Sequence, residues 1–145
     1  MELDELAKAL SSAAMTMEFQ LSLGVKEFAR EVEQEAKSEL GVYQQSVGPF
    51  NAWDELADGT KADRARHGYP EDQPLLRSGE LRDSIQHEVV GLAAVIGTKS
   101  EIGFWQEVGT SAIPPRPFIG PAYIKKLDFL GEEIGRCLMR GFRKI

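Results

Sequence analysis

The sequence predicts an α+β fold, a small antiparallel sheet packed by a long N-terminal helix and a C-terminal helix. Three observations predict it. All seven prolines fall between Pro49 and Pro121. Because proline costs about 3 kcal/mol inside a helix, both proline-free ends are open to long helices. The first forty residues carry apolar side chains mostly at three- and four-residue steps, the period of one helix face. Two short apolar runs flank Gly91, the pattern of a β-hairpin. At 145 residues the chain suits one domain, since domains cluster at about 100–150 residues.

In the N-terminal arm, residues 1–40, the apolar stripe is Leu3, Leu6, Leu10, Ala13, Met17, Leu21, Phe28, Val32 and Leu40. Glutamates 18, 27, 31, 35 and 39 with Lys26, Arg30 and Lys37 fill the other face. Glu27 with Arg30 and Glu33 with Lys37 have the spacing of helical ion pairs, worth a few tenths of a kcal/mol each. A helix over this span runs about 55 Å at 1.5 Å per residue, longer than a domain of this size is wide. Part of the stripe is therefore expected to pack on another subunit, through Leu10, Met17, Leu21, Phe28 and Val32, with a bend at Gly24. The alternative is two ordinary helices, broken at Gly24 and folded on one core.

Gly41 and Gly48-Pro49 end the arm. Trp53 to His67 reads as a short helix or an ordered loop, and Gly68-Tyr69-Pro70 and Gln73-Pro74 break the chain. Ser84 to Val90 and Ala93 to Ile96 are the hairpin strands. In Glu101 to Val108 the three-residue spacing of Ile102, Trp105 and Val108 favours a short helix. Three prolines force Ile113 to Ile119 to be extended, as an edge strand or a polyproline-like segment. A C-terminal helix, 121–143, starts at Pro121, with Tyr123, Leu127, Leu130, Ile134, Leu138 and Phe142 as its stripe. The ends carry opposite charge. The first forty residues hold nine acids and four bases, whereas residues from Pro121 onward hold six bases and three acids.

Composition excludes several function classes. With 17 basic and 23 acidic residues and a net charge of −6, a general grip on DNA phosphates is not expected. No apolar run is long enough to span a bilayer, so no membrane is expected, and Glu2, Asp4 and Glu5 are the wrong charge for a secretory leader. The lone Cys137 excludes an internal disulfide and a multi-cysteine zinc site. His67 and His87 are isolated, with no ligand at metal spacing. Gly91 to Ser100 mimics a phosphate loop only superficially: Thr98 separates Gly97 from Lys99, and the intervening residues are apolar strand. No catalytic constellation, cofactor or metal is expected, and the chain reads as a non-enzyme. Pro114-Pro115-Arg116-Pro117 contains a minimal PxxP pattern, a ligand for a peptide-binding module only if exposed.

Two stretches together carry a family resemblance. Leu75-Leu76-Arg77-Ser78-Gly79-Glu80-Leu81-Arg82-Asp83-Ser84-Ile85 resembles the leucine-rich, hydroxyl-Gly-x-Leu-Arg-x-Ser-Ile signature of tailed-phage tail-completion proteins. These are head–tail joining (neck) proteins, including the Mu-type virion morphogenesis group. Gly97-Thr98, then Trp105-Gln106-Glu107-Val108-Gly109-Thr110, then Pro115-Arg116-Pro117-Phe118-Ile119-Gly120-Pro121-Ala122 are similar to three further motifs of that family, in its order. Trp53-Asp54-Glu55-Leu56, Lys61, Arg64 and Gly68-Tyr69 resemble the Mu-type region before the signature. The resemblance covers residues 53–122. It departs from the pattern at Pro115, where alanine is usual, at Val108, where an aromatic is usual, and in the short segment before Pro115.

The resemblance implies a structural protein of the virion neck that completes the head-proximal end of the tail and joins it to the head. It implies a ring of subunits, hexameric or alternatively dodecameric, contacting neighbouring neck, adaptor and tail proteins, with DNA passing through the lumen without specific binding. The place would be the virion, and the host cytoplasm during assembly. A stopper, adaptor, tail terminator or minor capsid protein is the alternative within the virion, and a non-phage peptide-binding module the alternative outside it. The residues singled out are Arg77, Ser78, Gly79, Leu81, Arg82, Ser84, Trp105, Glu107, Gly109, Thr110, Arg116, Pro117, Phe118 and Pro121. Ser78 is expected to cap a turn over Gly79 to Arg82, Gly79 to take an unusual dihedral, and Arg116 to be presented for pairing with Glu107 or a neighbour. The net acidity suggests a lumen that repels DNA weakly and lets it slide, and the oppositely charged ends suggest a docking register between subunits.

Overall fold

The computed structural model describes residues 2–143. The arm is a single helix, α1 (Leu3–Glu39), followed by α2 (Asp58–Arg66), α3 (Glu80–Ser84), the antiparallel pair β1 (Gln86–Val90) and β2 (Ala93–Gly97), α4 (Glu101–Val108), α5 (Ile119–Lys125) and α6 (Leu127–Phe142). The fold is α+β as the sequence predicts, a two-stranded antiparallel sheet packed with the N-terminal and C-terminal helices. Among the described residues no helix is long and apolar enough to cross a membrane.

α1 passes through Gly24 without a break, because Gly24 has a packing use: its missing side chain admits Cys137 of α6, whose Sγ would stand 3.0 Å from a Cβ there. At the other end of the crossing Gly141 faces Met17, and a Cβ on Gly141 would overlap the Met17 side chain. The helices run antiparallel. The Cys137 thiol donates to the Gln20 carbonyl (3.1 Å), and Arg140 Nη1 donates to Gln20 Oε1 (3.3 Å).

The core lies under the C-terminal half of α1. Phe28, Val32, Ala36 and Leu40 meet Trp53, Leu75, Ile85, Phe118 and Ala122. This corrects two of the expected intersubunit contacts, since Phe28 and Val32 are buried in the subunit's own core. Met17 is covered in part by Gly141, Leu21 is half-buried, and Leu10 stays exposed. The hairpin pairs Gln86 with Gly97 through Val90 with Ala93, with Gly91 at φ +60 opening its tight turn. Its inner face turns His87, Val89, Ala94 and Ile96 toward α1.

Three boundaries differ from the sequence reading. β1 begins at Gln86, not Ser84, because Ser84 closes α3 with its hydroxyl on the Leu81 carbonyl (2.6 Å). The tail helix begins at Ile119, not Pro121, and is interrupted at Lys126. The segment 113–118 is extended but joins no sheet. The expected tail stripe is also mostly not a packing face: α6 buries Cys137 and Gly141, while Leu127, Ile134, Leu138 and Phe142 remain exposed.

Lysines at the end of α5 fasten it to α1. Lys125 Nζ lies 2.9 Å from Glu39 Oε1 and 3.3 Å from Glu35, and Lys126 lies 3.4 Å from Glu31. The opposite charges of the two ends are thus used first within one chain. His87 of β1 pairs with Glu33, which also takes Lys37 at 2.5 Å. Burial works to raise the Glu33 carboxyl, but the hydrogen bonds from Lys37 and His87 outweigh it and hold it below the usual range.

Glu39 behaves differently. It is almost fully buried and its Oε2 has no hydrogen-bond partner among the described residues. Burial pushes its pKa up to about 7 against the opposing pull of Lys125. The unfolded value is about 4.3, so between the two values the folded chain holds a proton that the unfolded chain releases. The contribution of Glu39 to stability is therefore complete below about pH 4.3 and is lost as pH rises through about 7. Urea unfolding at pH 5 and pH 8 checks this. Glu39→Gln, which keeps an acceptor for Lys125 and cannot ionise, is expected to gain stability relative to the parent at pH 8 and to lose that advantage at pH 5.

Candidate functional site

The residues singled out by resemblance are spread over forty-five positions, from Arg77 to Pro121, and five of the fourteen, Arg77, Ser78, Gly79, Leu81 and Arg116, come together at one cleft. Arg77 to Leu81, residues 102–106 and 112–116, with the loop and helix at 55–64, surround a cleft of about 670 Å³. Its walls are apolar at Leu56, Leu75, Leu81, Ile102 and Ile113, with Arg64, Arg77 and Arg116 among them.

Glu107 organises the far side of this region. Its carboxylate accepts the N–H groups of Phe118 (2.7 Å), Ile119 (3.0 Å) and Gly120 (2.9 Å). Those are the free amides at the start of α5, where partial positive charge gathers, and Pro121 at the next position has no N–H to satisfy. The cap explains why α5 starts two residues before Pro121. It also seats Phe118, fully buried, in the core.

Arg116 does not pair with Glu107, which corrects the expected contact. It is buried, and its Nε and Nη2 donate to the carbonyls of Asp54 (3.0 Å) and Glu55 (2.9 Å). Its own N–H bonds the Gln106 carbonyl (2.6 Å). Next to it the Pro117 carbonyl accepts the indole N–H of Trp53 (2.9 Å). The proline-rich segment thus clamps the loop at 53–56, and with Arg116 and Pro117 buried it does not offer an exposed PxxP ligand.

The first signature stretch is a second clamp. Gly79 has φ +91 and is itself the residue that starts α3, in place of the expected Ser78 cap. Ser78 Oγ accepts only a long bond, 3.4 Å, from the Glu80 N–H. Ser84 Oγ lies 2.6 Å from Thr98 Oγ1, which also accepts the Ser100 N–H (3.0 Å), so the end of α3 is tied to the end of β2 and the start of α4. Arg77 lies over the Tyr69 ring, 4.6 Å from its centroid, a cation–π contact. Arg82 is exposed and pairs with its neighbour Asp83 (3.2 Å). Leu81 packs on the core. Gly109 at φ +76 and Thr110, whose hydroxyl accepts the N–H groups of Ala112 (3.1 Å) and Ile113 (3.2 Å), form the turn that returns the chain to Arg116. Trp105 projects outward from α4, half-exposed beside exposed Ile102, Phe104 and Val108.

Comparison with family models, with curated proteins and with solved structures finds no match to this chain.

The geometry also identifies residues missing from the sequence-derived set. Arg64 is buried in α2 and its Nη1 faces the carbonyls of Pro70, Gln73 and Leu76. Burial, with Arg77 and Arg116 nearby, draws it below the usual guanidinium value. It holds the 70–76 loop as Arg116 holds 54–55. Gly103 lets α4 cross β2 and α3, since a Cβ there would sit 2.4 Å from Thr98 Cγ2. A glycine between Ile102 and Phe104 in a short helix was its only sequence signal. Among the described residues no group of three or more histidine, cysteine or carboxylate side chains is placed to hold a metal ion.

The contacts of Glu107, Arg116, Trp53 and Arg64 all position backbone. Glu107→Ala is therefore expected to remove about 2 kcal/mol of stability, the scale of a lost charged cap, whereas exposed Glu132→Ala should change it by less than about 0.5 kcal/mol. Chemical denaturation of both variants checks the contrast.

Proposed function

We propose that this chain is a structural protein of a tailed-phage neck, which completes the head-proximal end of the tail and joins it to the head as one subunit of a ring, most simply a hexamer. One observation carries the reading: the residues that resemble the tail-completion motifs act together. Glu107 with 118–120, Arg116 with 54–55, Trp53 with Pro117 and Ser84 with Thr98 form one connected scaffold out of distant segments. A chance likeness of short motifs gives no reason for that cooperation.

A second feature supports an assembled role. Large apolar side chains stay exposed on several elements: Val90, Leu92 and Val95 on the hairpin, Ile102, Phe104 and Trp105 on α4, and the uncovered stripe of α6. Several large apolar side chains exposed together on one element are the kind of surface that marks interaction sites. The net charge of −6 suits a ring that does not hold DNA phosphates.

Particle morphology tests the proposal. An amber mutation in the gene is expected to give full heads beside complete, unattached tails, and labelled protein should localise to the neck of wild-type particles. Headless tails of abnormal length, or label in the capsid shell, would move the chain to the terminator or minor capsid role. A basic lumen in the reconstructed ring would remove the sliding reading.

A further inference from the structure

The cleft beside Arg64, Arg77 and Arg116 holds more hydrogen-bond donors than the fold uses. Arg64 and Arg116 are only 8% and 5% exposed. Both bond backbone carbonyls, and among the described residues neither has a carboxylate within ion-pair distance. Arg77 lies 3.9 Å from Asp63, a carboxylate that also faces Arg66 at 3.6 Å. A guanidinium carries five N–H groups. Arg64 spends those of Nη1, on the 70–76 loop, and Arg116 spends Nε and Nη2. Nε and Nη2 of Arg64 and Nη1 of Arg116 have no acceptor among the described residues. None of the three atoms is sealed from solvent, and the opening that both side chains line is this cleft. Burial, and then the nearby charges of Arg77 and Arg116, draw Arg64 below the usual guanidinium value. Like charges gathered in a partly dry cleft favour an anion among them.

Three further features restrict the anion. The walls at Leu56, Leu75, Ile102 and Ile113 are apolar, so it carries an apolar body. Gln106 lines the same cleft, and its Oε1 is buried with no hydrogen-bond partner among the described residues. A buried acceptor left unmade is costly, and a ligand N–H would satisfy it. Glu55 and Glu80 also line the cleft and are exposed, so acids stand at its mouth and arginines inside. A polyanion such as DNA would meet those acids first. A bare inorganic anion would use neither the apolar walls nor Gln106. The volume of about 670 Å³ is that of a cleft for a small ligand or a short chain end.

We infer that this cleft binds the free carboxyl end of a polypeptide. The terminal carboxylate sits on Arg77 and on the spare N–H groups of Arg64 and Arg116, in charge-assisted hydrogen bonds. The last main-chain N–H donates to Gln106 Oε1. An apolar last side chain lies against Leu75 and Ile102, and a basic residue before it faces Glu55 and Glu80. A chain terminus is the one group that brings a carboxylate, an amide N–H and an apolar side chain together on one residue. The site does not depend on the neck reading.

Chemical-shift titration of the ¹⁵N-labelled protein tests it with four probes: acetyl-Gly-Lys-Leu as the free acid, the same tripeptide amidated, acetyl-Gly-Glu-Leu as the free acid, and inorganic phosphate. The first is expected to bind at about 1 mM or below and to shift signals from residues 55–64, 77–81 and 102–116. Amidation should weaken binding at least about tenfold, because it removes the charged acceptor. Glutamate in place of the peptide lysine should cost only about threefold, since the acids at the mouth are exposed. Arg77 is exposed and bonds no backbone, so Arg77→Gln should weaken the free acid about tenfold with circular dichroism unchanged. Gln106→Leu should weaken acid and amide alike, about threefold, because both keep the N–H. Equal binding of acid and amide would overturn the inference. So would phosphate binding as tightly as the free acid, which marks a plain anion site, a folded Arg77→Gln that binds like the parent, shifts confined to α6 or the hairpin, or no shift at about 10 mM peptide. The comparison of acid with amide needs no variant, so it decides even where Arg77→Gln fails to fold. None of these results bears on the neck reading, which particle morphology decides.

Discussion

Glu107 accepts the N–H groups of Phe118, Ile119 and Gly120, and Pro121 presents none. With the first turn of α5 satisfied in this way, the helix can begin inside the protein, where an uncapped start would strand polar groups away from water. Phe118 then enters the core, and Pro117 and Arg116 are left facing the 53–56 loop, whose carbonyls and indole they fix. The far end of α5 delivers Lys125 and Lys126 to the acids of α1. Each of these placements presupposes the one before it.

The charge distribution is organised along the same line. Acids on α1 that look like a solvated helix face in sequence are divided by the fold into two groups. Glu31, Glu35 and Glu39 face α5 and are consumed by its lysines, and Glu33 takes Lys37 and His87. Glu27 is held by Arg30, whereas Glu2, Asp4, Glu5 and Glu18 lie toward the N-terminal end of the arm and stay exposed, without an ion pair among the described residues. Only the second group is free to meet another molecule.

Much of the fold was legible in the sequence because its signals are local. The proline map bounded the helical ends, the three-and-four spacing predicted α1, the three-residue spacing of Ile102, Trp105 and Val108 predicted α4, and the apolar runs about Gly91 predicted the hairpin. Where the start of α5 falls was not legible, since it is set by a carboxylate eleven residues upstream of Phe118. Neither was the use of Gly24, which looks like a helix breaker and is the contact point for α6. The tail stripe was legible as a stripe, but its cover was not, because periodicity identifies an apolar face without saying which molecule covers it, and the fold leaves most of this one exposed. The motif residues were found by resemblance, but their roles were not. Arg116 reads as a free cation in sequence and proves to be a backbone clamp, a distinction that depends on carbonyls sixty residues away.

Cys137 sits where α1 and α6 cross, its thiol against the Gln20 carbonyl and its surface almost wholly covered. A sulfur so enclosed is unreactive until it meets solvent. Because it is the chain's single cysteine, its alkylation rate measures one event, the parting of the two helices. The molecule therefore carries its own gauge of how tightly the helical hairpin is shut, readable without any introduced label.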